Sequence, residues 1–208
     1  MIRAVIFDMG GVILRTEKQD GRRKWEAQLG LQPGELERAV FECEASARAS
    51  IGLAHEDEVW KSIAARFGLN DAQLIEFQRD FWSGDRVDAT LAQFIRDLRP
   101  RYKTAILSNA WLNARAAITQ KFGMGDAVDT IIISAEEGIA KPDARIYRLA
   151  AERLGVLPQE AIFVDDMPEN ADAARAVGMR GVHFHKRVFE NTSDFIHHLQ
   201  KLLAEDGS

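Results

Sequence analysis

Residues Ala4-Val5-Ile6-Phe7-Asp8-Met9-Gly10-Gly11-Val12 decide the fold. Four apolar residues run straight into an aspartate, and two glycines follow. An unbroken apolar run of this kind reads as a central strand buried on both faces. A carboxylate at its C-terminal end sits where open parallel sheets place their chemistry. The glycines let the backbone turn tightly and approach a ligand closely.

Outward from this stretch, further apolar runs follow the same plan. Thr104-Ala105-Ile106-Leu107 ends at Ser108-Asn109, and Thr130-Ile131-Ile132-Ile133 is a third strand. Ala161-Ile162-Phe163-Val164 ends at Asp165-Asp166, and Gly181-Val182-His183-Phe184 makes a fifth. Helical patterns separate them: Thr90–Leu98, Trp111–Phe122, Asp143–Leu154 closed by Gly155, a helix opened by Pro168, and Asp194–Leu203. Proline is tolerated at a first helical position. Strand–helix alternation predicts an α/β fold, a Rossmann-like doubly wound parallel sheet.

Between Glu17 and about Ser83 the pattern is helical, with almost no strand character. Trp25 and Leu29 mark one helix, ended near Gly30. Pro33-Gly34-Glu35 opens a second, carrying Leu36, Val40 and Phe41. Val59, Trp60, Ile63, Ala64 and Phe67 follow helical spacing up to Gly68. Asn70 or Asp71 caps a fourth, with Leu74, Phe77 and Phe81. The expectation is an insert of about 65 residues built as a four-helix unit.

Composition narrows the function. Hydrophobic residues make up 46% and charged residues 28%, ordinary for a globular chain. The formal net charge is -5 and there is no long basic run, which argues against nucleic acid or an anionic membrane as the main partner. The one cysteine, Cys43, gives neither an intrachain disulfide nor a thiolate cluster. The N-terminus opens directly into a strand, without a signal-peptide layout, and no apolar stretch approaches the roughly 20 residues of a membrane span. A cytoplasmic protein is expected.

Polar residues follow three apolar runs: Asp8, Ser108-Asn109 and Asp165-Asp166. Helix capping explains any one of them. It fits the set poorly, because adjacent carboxylates at one sheet edge repel without a cation. Oxygen ligands without cysteine suit a hard ion, Mg²⁺ first among them. Lys141-Pro142 adds a positive charge after the third strand. A metal, a lysine, a hydroxyl and a helix N-terminus make a site for phosphate.

Asp8 after its strand, Ser108-Asn109, Lys141-Pro142, and Asp165-Asp166 with Asn170 resemble the four motifs of the haloacid dehalogenase-like (HAD) hydrolases. Each motif is short and weak alone; four in order at strand ends are specific. Ala105–Asn109 and Lys141–Tyr147 resemble the branch holding the phosphatase domain of soluble epoxide hydrolases and bacterial sugar-phosphate phosphatases. The resemblance implies a catalytic core of residues 1–15 and 85–208, and a small helical cap of residues 16–84 inserted after the first strand. It implies a Mg²⁺-dependent phosphomonoesterase acting on a small phosphorylated metabolite, a sugar phosphate or similar. Asp8 is then the nucleophile and forms an aspartyl-phosphate. Asp8 and Asp166 hold Mg²⁺ with the carbonyl of Gly10, while Asp165 and Asn170 orient that shell. Ser108 and the Asn109 amide bind phosphoryl oxygens, and Lys141 offsets the charge of nucleophile and phosphate.

One position departs from the family pattern. Most of its phosphatases carry a second aspartate two residues after the nucleophile, where this chain has Gly10. The backbone carbonyl survives; the acid/base, worth roughly 10²–10⁴-fold, does not. Three routes stay open. The leaving group is good enough to need little protonation, a carboxylate such as Glu17 or Asp20 substitutes, or the chain is a catalytically weak phosphate-binding or regulatory protein. Dehalogenases of the family also lack that aspartate, but they do not keep the paired aspartates after the fourth strand. A receiver domain would carry its acid pair after the first strand, and Gly10-Gly11 does not supply the G-x-G-x-x-G of a dinucleotide site.

The remaining residues have plain readings. His183 and His185 share a strand face and read as surface histidines before metal ligands. His55 sits at a helix start as a cap, and His197-His198 lie on a solvated helix face. Cys43, Trp25, Trp60 and Trp82 belong to the packing of the helical insert. Trp111 follows the Ser108-Asn109 loop and either packs under the insert or lines the pocket. Arg22-Arg23-Lys24 reads as a solvated face.

Overall fold

The opening apolar run is strand β1, Ala4–Phe7, and every one of its residues is buried. The computed structural model describes residues 1–185 and 189–205. After β1 come β2 (Leu14–Thr16) and helices α1 (Asp20–Leu29), α2 (Glu35–Phe41), α3 (Glu44–Ala49), α4 (Glu56–Phe67) and α5 (Asp71–Phe81). Then follow β3 (Asp85–Val87), α6 (Ala89–Leu98), β4 (Lys103–Ser108), α7 (Ala114–Ala116), β5 (Thr130–Ile133), α8 (Ser134–Glu137) and α9 (Ala144–Leu154). The chain continues through β6 (Ala161–Asp165), α10 (Pro168–Ala176), β7 (Arg180–His183) and α11 (Thr192–Glu205).

Five strands form a parallel sheet in the order β5-β4-β1-β6-β7. The chain winds outward from β1 in both directions, so the crevice at the ends of β1, β4 and β6 is the switch point of the sheet. Side chains alternate across it, as the two-residue period of a strand requires. Val5 and Phe7 pack with Leu91, Ile95, Phe195 and Leu199 of α6 and α11. Ala4 and Ile6 pack with Ile146, Tyr147, Ala150 and Ala174 of α9 and α10. The expected α/β sheet with helices on both faces is present.

Helices α1–α5 enclose an apolar cluster of their own: Trp25, Leu36, Val40, Val59, Trp60, Ile63, Phe77 and Phe81. Two starts use the expected caps. The His55 ring accepts from the Asp57 amide, and the Asn70 side chain accepts from the Gln73 amide. The segment holds five helices, not four. Helix α3 buries only Ser46 and Ala49, so it lacks the apolar periodicity by which a helix is read. The antiparallel ribbon β2–β3, which joins this segment to the sheet, also went unread, because three-residue strands carry too little alternation. The expected helix Trp111–Phe122 instead starts at Ala114 and runs into a π-turn at Ala117–Lys121. Trp111 is drawn off the helix into the cluster of α1–α5. Arg22 is buried rather than solvated: its guanidinium donates to the Phe81 carbonyl and pairs with Asp85. Among the described residues no helix is long and apolar enough to cross a membrane.

Candidate active site

Strand register brings the polar strand ends together. Phe7 stands opposite Ile106 and Val164, so Asp8 aligns with Leu107 and Asp165. Ser108 and Asp166 follow one step further on either side. The Asp8 amide donates to the Val164 carbonyl at 2.8 Å, fixing the carboxylate at the edge of the sheet. Ser108 is the buried last residue of β4.

Lys141 enters from the irregular loop between α8 and α9. Its ammonium lies 2.8 Å from Asp8 Oδ1 and 2.6 Å from Asp165 Oδ2, and the lysine side chain is 2% exposed. Asn109 clamps that loop. Its Nδ2 donates to the Lys141 carbonyl and the Lys141 amide donates to its Oδ1, each at 2.8 Å. Asp165 is wholly buried and accepts three hydrogen bonds: besides Lys141 on Oδ2, Oδ1 accepts from the Met167 amide at 2.9 Å and from Asn170 Nδ2 at 3.0 Å. The Asn170 carbonyl in turn accepts from the Tyr147 hydroxyl at 3.0 Å.

The loop that follows Asp8 crosses directly over Asp166. Gly11 has φ +74°, and a Cβ there would lie 2.1 Å from Asp166 Oδ2. Only glycine permits both the backbone angle and the approach. Gly10 is exposed, with nothing within 4 Å of the position a Cβ would take. Glu17, just after β2, and Asp20, the first residue of α1, are both exposed.

The electrostatics follow from three carboxylates facing one ammonium. Burial pushes the Asp8 carboxyl up to about 7; Lys141 opposes the rise, and Asp165 and Asp166 add to it. Burial and then the charge of Asp165 push Asp166 up to about 6. Burial alone would lower Lys141, but Asp8 and Asp165 hold its ammonium above the usual lysine range. The cluster therefore carries more negative charge than Lys141 offsets. One ligand oxygen each from Asp8, Asp165 and Asp166 lies within 4.8 Å of the others. An all-oxygen donor set with surplus negative charge fits a hard divalent cation. Asp165, which already accepts from three donors, is the least free of the three to give an oxygen to such an ion.

Three contacts escaped sequence reading. The Asn109 side chain acts on the Lys141 loop, whereas its sequence motif points to its amide alone. Gly11 answers to Asp166, which lies 155 residues away. The His183 ring, expected at the surface, is half-buried with Nε2 2.9 Å from the Asp166 carbonyl and its centroid 5.4 Å from that of His185. The sequence signal for it is weak: a histidine at the end of the strand beside the one that ends in Asp165-Asp166.

Residues 2–178 match the family model of the haloacid dehalogenase-like hydrolases. The chain belongs to that family. The HAD chain is 27% identical over 182 residues to the sesquiterpene phosphatase astK of Aspergillus oryzae, covering 87% of this chain and 89% of the relative. It is 24% identical over 192 residues to the D-ribitol-5-phosphate phosphatase of Bacteroides thetaiotaomicron, covering 86% and 89%. Some relatives are far longer: the match to mouse acyl-CoA dehydrogenase family member 10, at 27% identity over 86% of this chain, spans 18% of that protein. A HAD family enzyme of Bacteroides thetaiotaomicron, solved with magnesium and inorganic phosphate, superposes with a TM-score of 0.73 at 20% identity, covering 89% of this chain and 95% of that one. It bears out the fold.

Proposed function

We propose that this HAD hydrolase is a phosphomonoesterase for a small phosphorylated metabolite, working through Asp8. The observation that carries the reading is the Asp8 carboxylate, held at the sheet edge with Lys141 2.8 Å from one oxygen and Asp166 beside it. Phosphatases among the relatives support the reaction class. Sesquiterpene and pentitol relatives do not agree on a leaving group, and a sugar phosphate is one member of the class to test.

In the proposed mechanism Lys141 engages Asp8 Oδ1 and leaves Oδ2 to attack phosphorus. The Oδ2–P bond forms as the P–O bond to the leaving group breaks, and the released alkoxide takes its proton from solvent. Water then attacks phosphorus, the bond to Asp8 breaks, and inorganic phosphate leaves with the Asp8 carboxylate restored. Ser108 and the Asn109 amide hold phosphoryl oxygens, and Lys141 offsets the charge gathered in the transition state. Asp8, Asp166 and the Gly10 carbonyl would hold Mg²⁺, with Asp165 and Asn170 behind them. When bound, the ion supplies charge stabilisation to the transferring phosphoryl group. Residues 16–84 serve as a cap over the core of residues 1–15 and 85–208, excluding water and selecting the substrate. The apolar cluster that they form, joined by Trp111 from the core, supports this division.

The test is phosphate release from a panel of phosphorylated metabolites, with Mg²⁺ and with chelator, using Asp8→Asn as the blank. A 2-haloacid belongs in the panel, since the Asp165-Asp166 pair argues against halide release. Metal-dependent release that Asp8→Asn lacks supports the reading. Folded protein that binds Mg²⁺ and releases nothing above the blank turns it into a phosphate-binding protein, with the missing acid at Gly10 as the reason.

A further inference from the structure

We propose that His183 is a positioning residue that fixes Asp166, and so sets the affinity of the site for Mg²⁺. The inference rests on the reading of Asp166 as a metal ligand. It starts from the parallel pairing of β6 and β7, which sets His183 opposite Asp165. The ladder runs one step past the strand, with the Phe184 amide donating to the Asp165 carbonyl at 2.8 Å. That step carries the His183 ring over the next peptide, where Nε2 lies 2.9 Å from the Asp166 carbonyl oxygen. A carbonyl only accepts, so Nε2 bears the proton and donates it.

The Asp166 peptide is thereby held on both sides. Its following amide, at Met167, is tied to Asp165 Oδ1 at 2.9 Å, and its own oxygen is tied to His183. The Asp166 carboxylate lies against the Gly11 backbone, where a Cβ would stand 2.1 Å from its Oδ2. Of its backbone restraints, only the His183 contact comes from a residue outside the Asp165–Asn170 turn among the described contacts. Partners that orient a ligand in this way typically change metal affinity by about 10–100-fold when removed.

Variants of matched shape test this. Gln at position 183 places a side-chain N–H at about the reach of Nε2. Asn reaches only as far as Nδ1, and Leu offers no donor. Mg²⁺ affinity is measured by calorimetric titration of metal-free protein, and unfolding midpoints in chelator check the fold. The expected result is a Mg²⁺ Kd about 10–100-fold weaker in His183→Leu and His183→Asn, with His183→Gln close to the parent and all midpoints in chelator similar. Equal Mg²⁺ affinity in the parent and all three variants overturns the proposal. So does equal weakening in all three, because the donor is then not what matters. Asp166→Ala separates this from the underlying reading: Mg²⁺ affinity unchanged by Asp166→Ala removes the metal assignment itself, and the role of His183 falls with it.

Discussion

Lys141 Nζ and Asp165 Oδ2 meet at 2.6 Å, with side chains 2% and 0% exposed. Asp165 therefore does not face substrate; it holds the lysine that faces Asp8. Breaking a buried pair by removing one partner typically costs about 3–5 kcal/mol, whereas removing both charges costs much less. Asp165→Leu is expected to lower stability by about that amount in urea unfolding under chelator, and Lys141→Met/Asp165→Leu to recover a good part of it. A double variant as unstable as the sum of its single variants would show that the two charges act independently.

Gly10 leaves space where most phosphatases of the family carry a carboxylate. Nothing lies within 4 Å of a Cβ built there, so the first carbon of an added side chain meets no neighbour. Gly10→Asp is expected to raise kcat/KM on esters with poor alkyl leaving groups by up to about 10²-fold, the lower end of what a placed acid/base contributes. Activated aryl esters should gain little. No gain in a folded variant would mean that the proton already comes from another group, with Glu17 and Asp20 the next to replace.

Gly11 is intolerant for two separate reasons, its φ of +74° and the 2.1 Å approach of a Cβ to Asp166 Oδ2. Gly11→Ala is expected to push the Asp166 carboxylate aside and weaken Mg²⁺ by at least about 10-fold. The backbone strain adds about 1–2 kcal/mol of lost stability. Calorimetry with Mg²⁺ reads the first effect and urea unfolding in chelator the second. A variant that loses stability but keeps its Mg²⁺ affinity would mean that Asp166 reaches the ion without help from the loop.

The sheet and the convergence of Asp8, Lys141 and Asp165 were legible because both rest on local pattern. Apolar runs four or more residues long end in polar residues, and parallel pairing brings such ends to one edge. What stayed hidden depends on contacts distant in sequence. Nothing around Asn109 announces that its side chain seals the loop of Lys141, and only its place at the end of the neighbouring strand hints that His183 meets a carbonyl 17 residues earlier. Arg22 misled for the same reason. Three basic residues in a row read as a wet helix face, yet Asp85, on the strand that returns to the sheet, draws the first of them inward. Short elements failed differently: β2, β3 and α3 span three to six residues, too few for a period to register.

Trp111 is the point where the loop of Ser108 enters the helices of residues 20–81. Its ring centroid lies 5.6 Å from that of Trp60, 6.1 Å from Phe41 and 6.4 Å from Trp82, and its Nε1 donates to Ser46 Oγ at 3.2 Å. Emptying such a site costs about 3–5 kcal/mol in a packed core. Trp111→Ala is expected to cost that much in urea unfolding. Trp111→Phe keeps an aromatic ring, loses the hydrogen bond to Ser46, and is expected to cost about 1–2 kcal/mol. The distribution of the loss carries the information. If Trp111 fastens the helices to the sheet, amide exchange in Trp111→Ala should speed up in α3 and α4 while β1 and β6 stay protected. Uniform acceleration would instead make Trp111 an ordinary core residue, and would leave the β2–β3 ribbon to join the helices to the sheet.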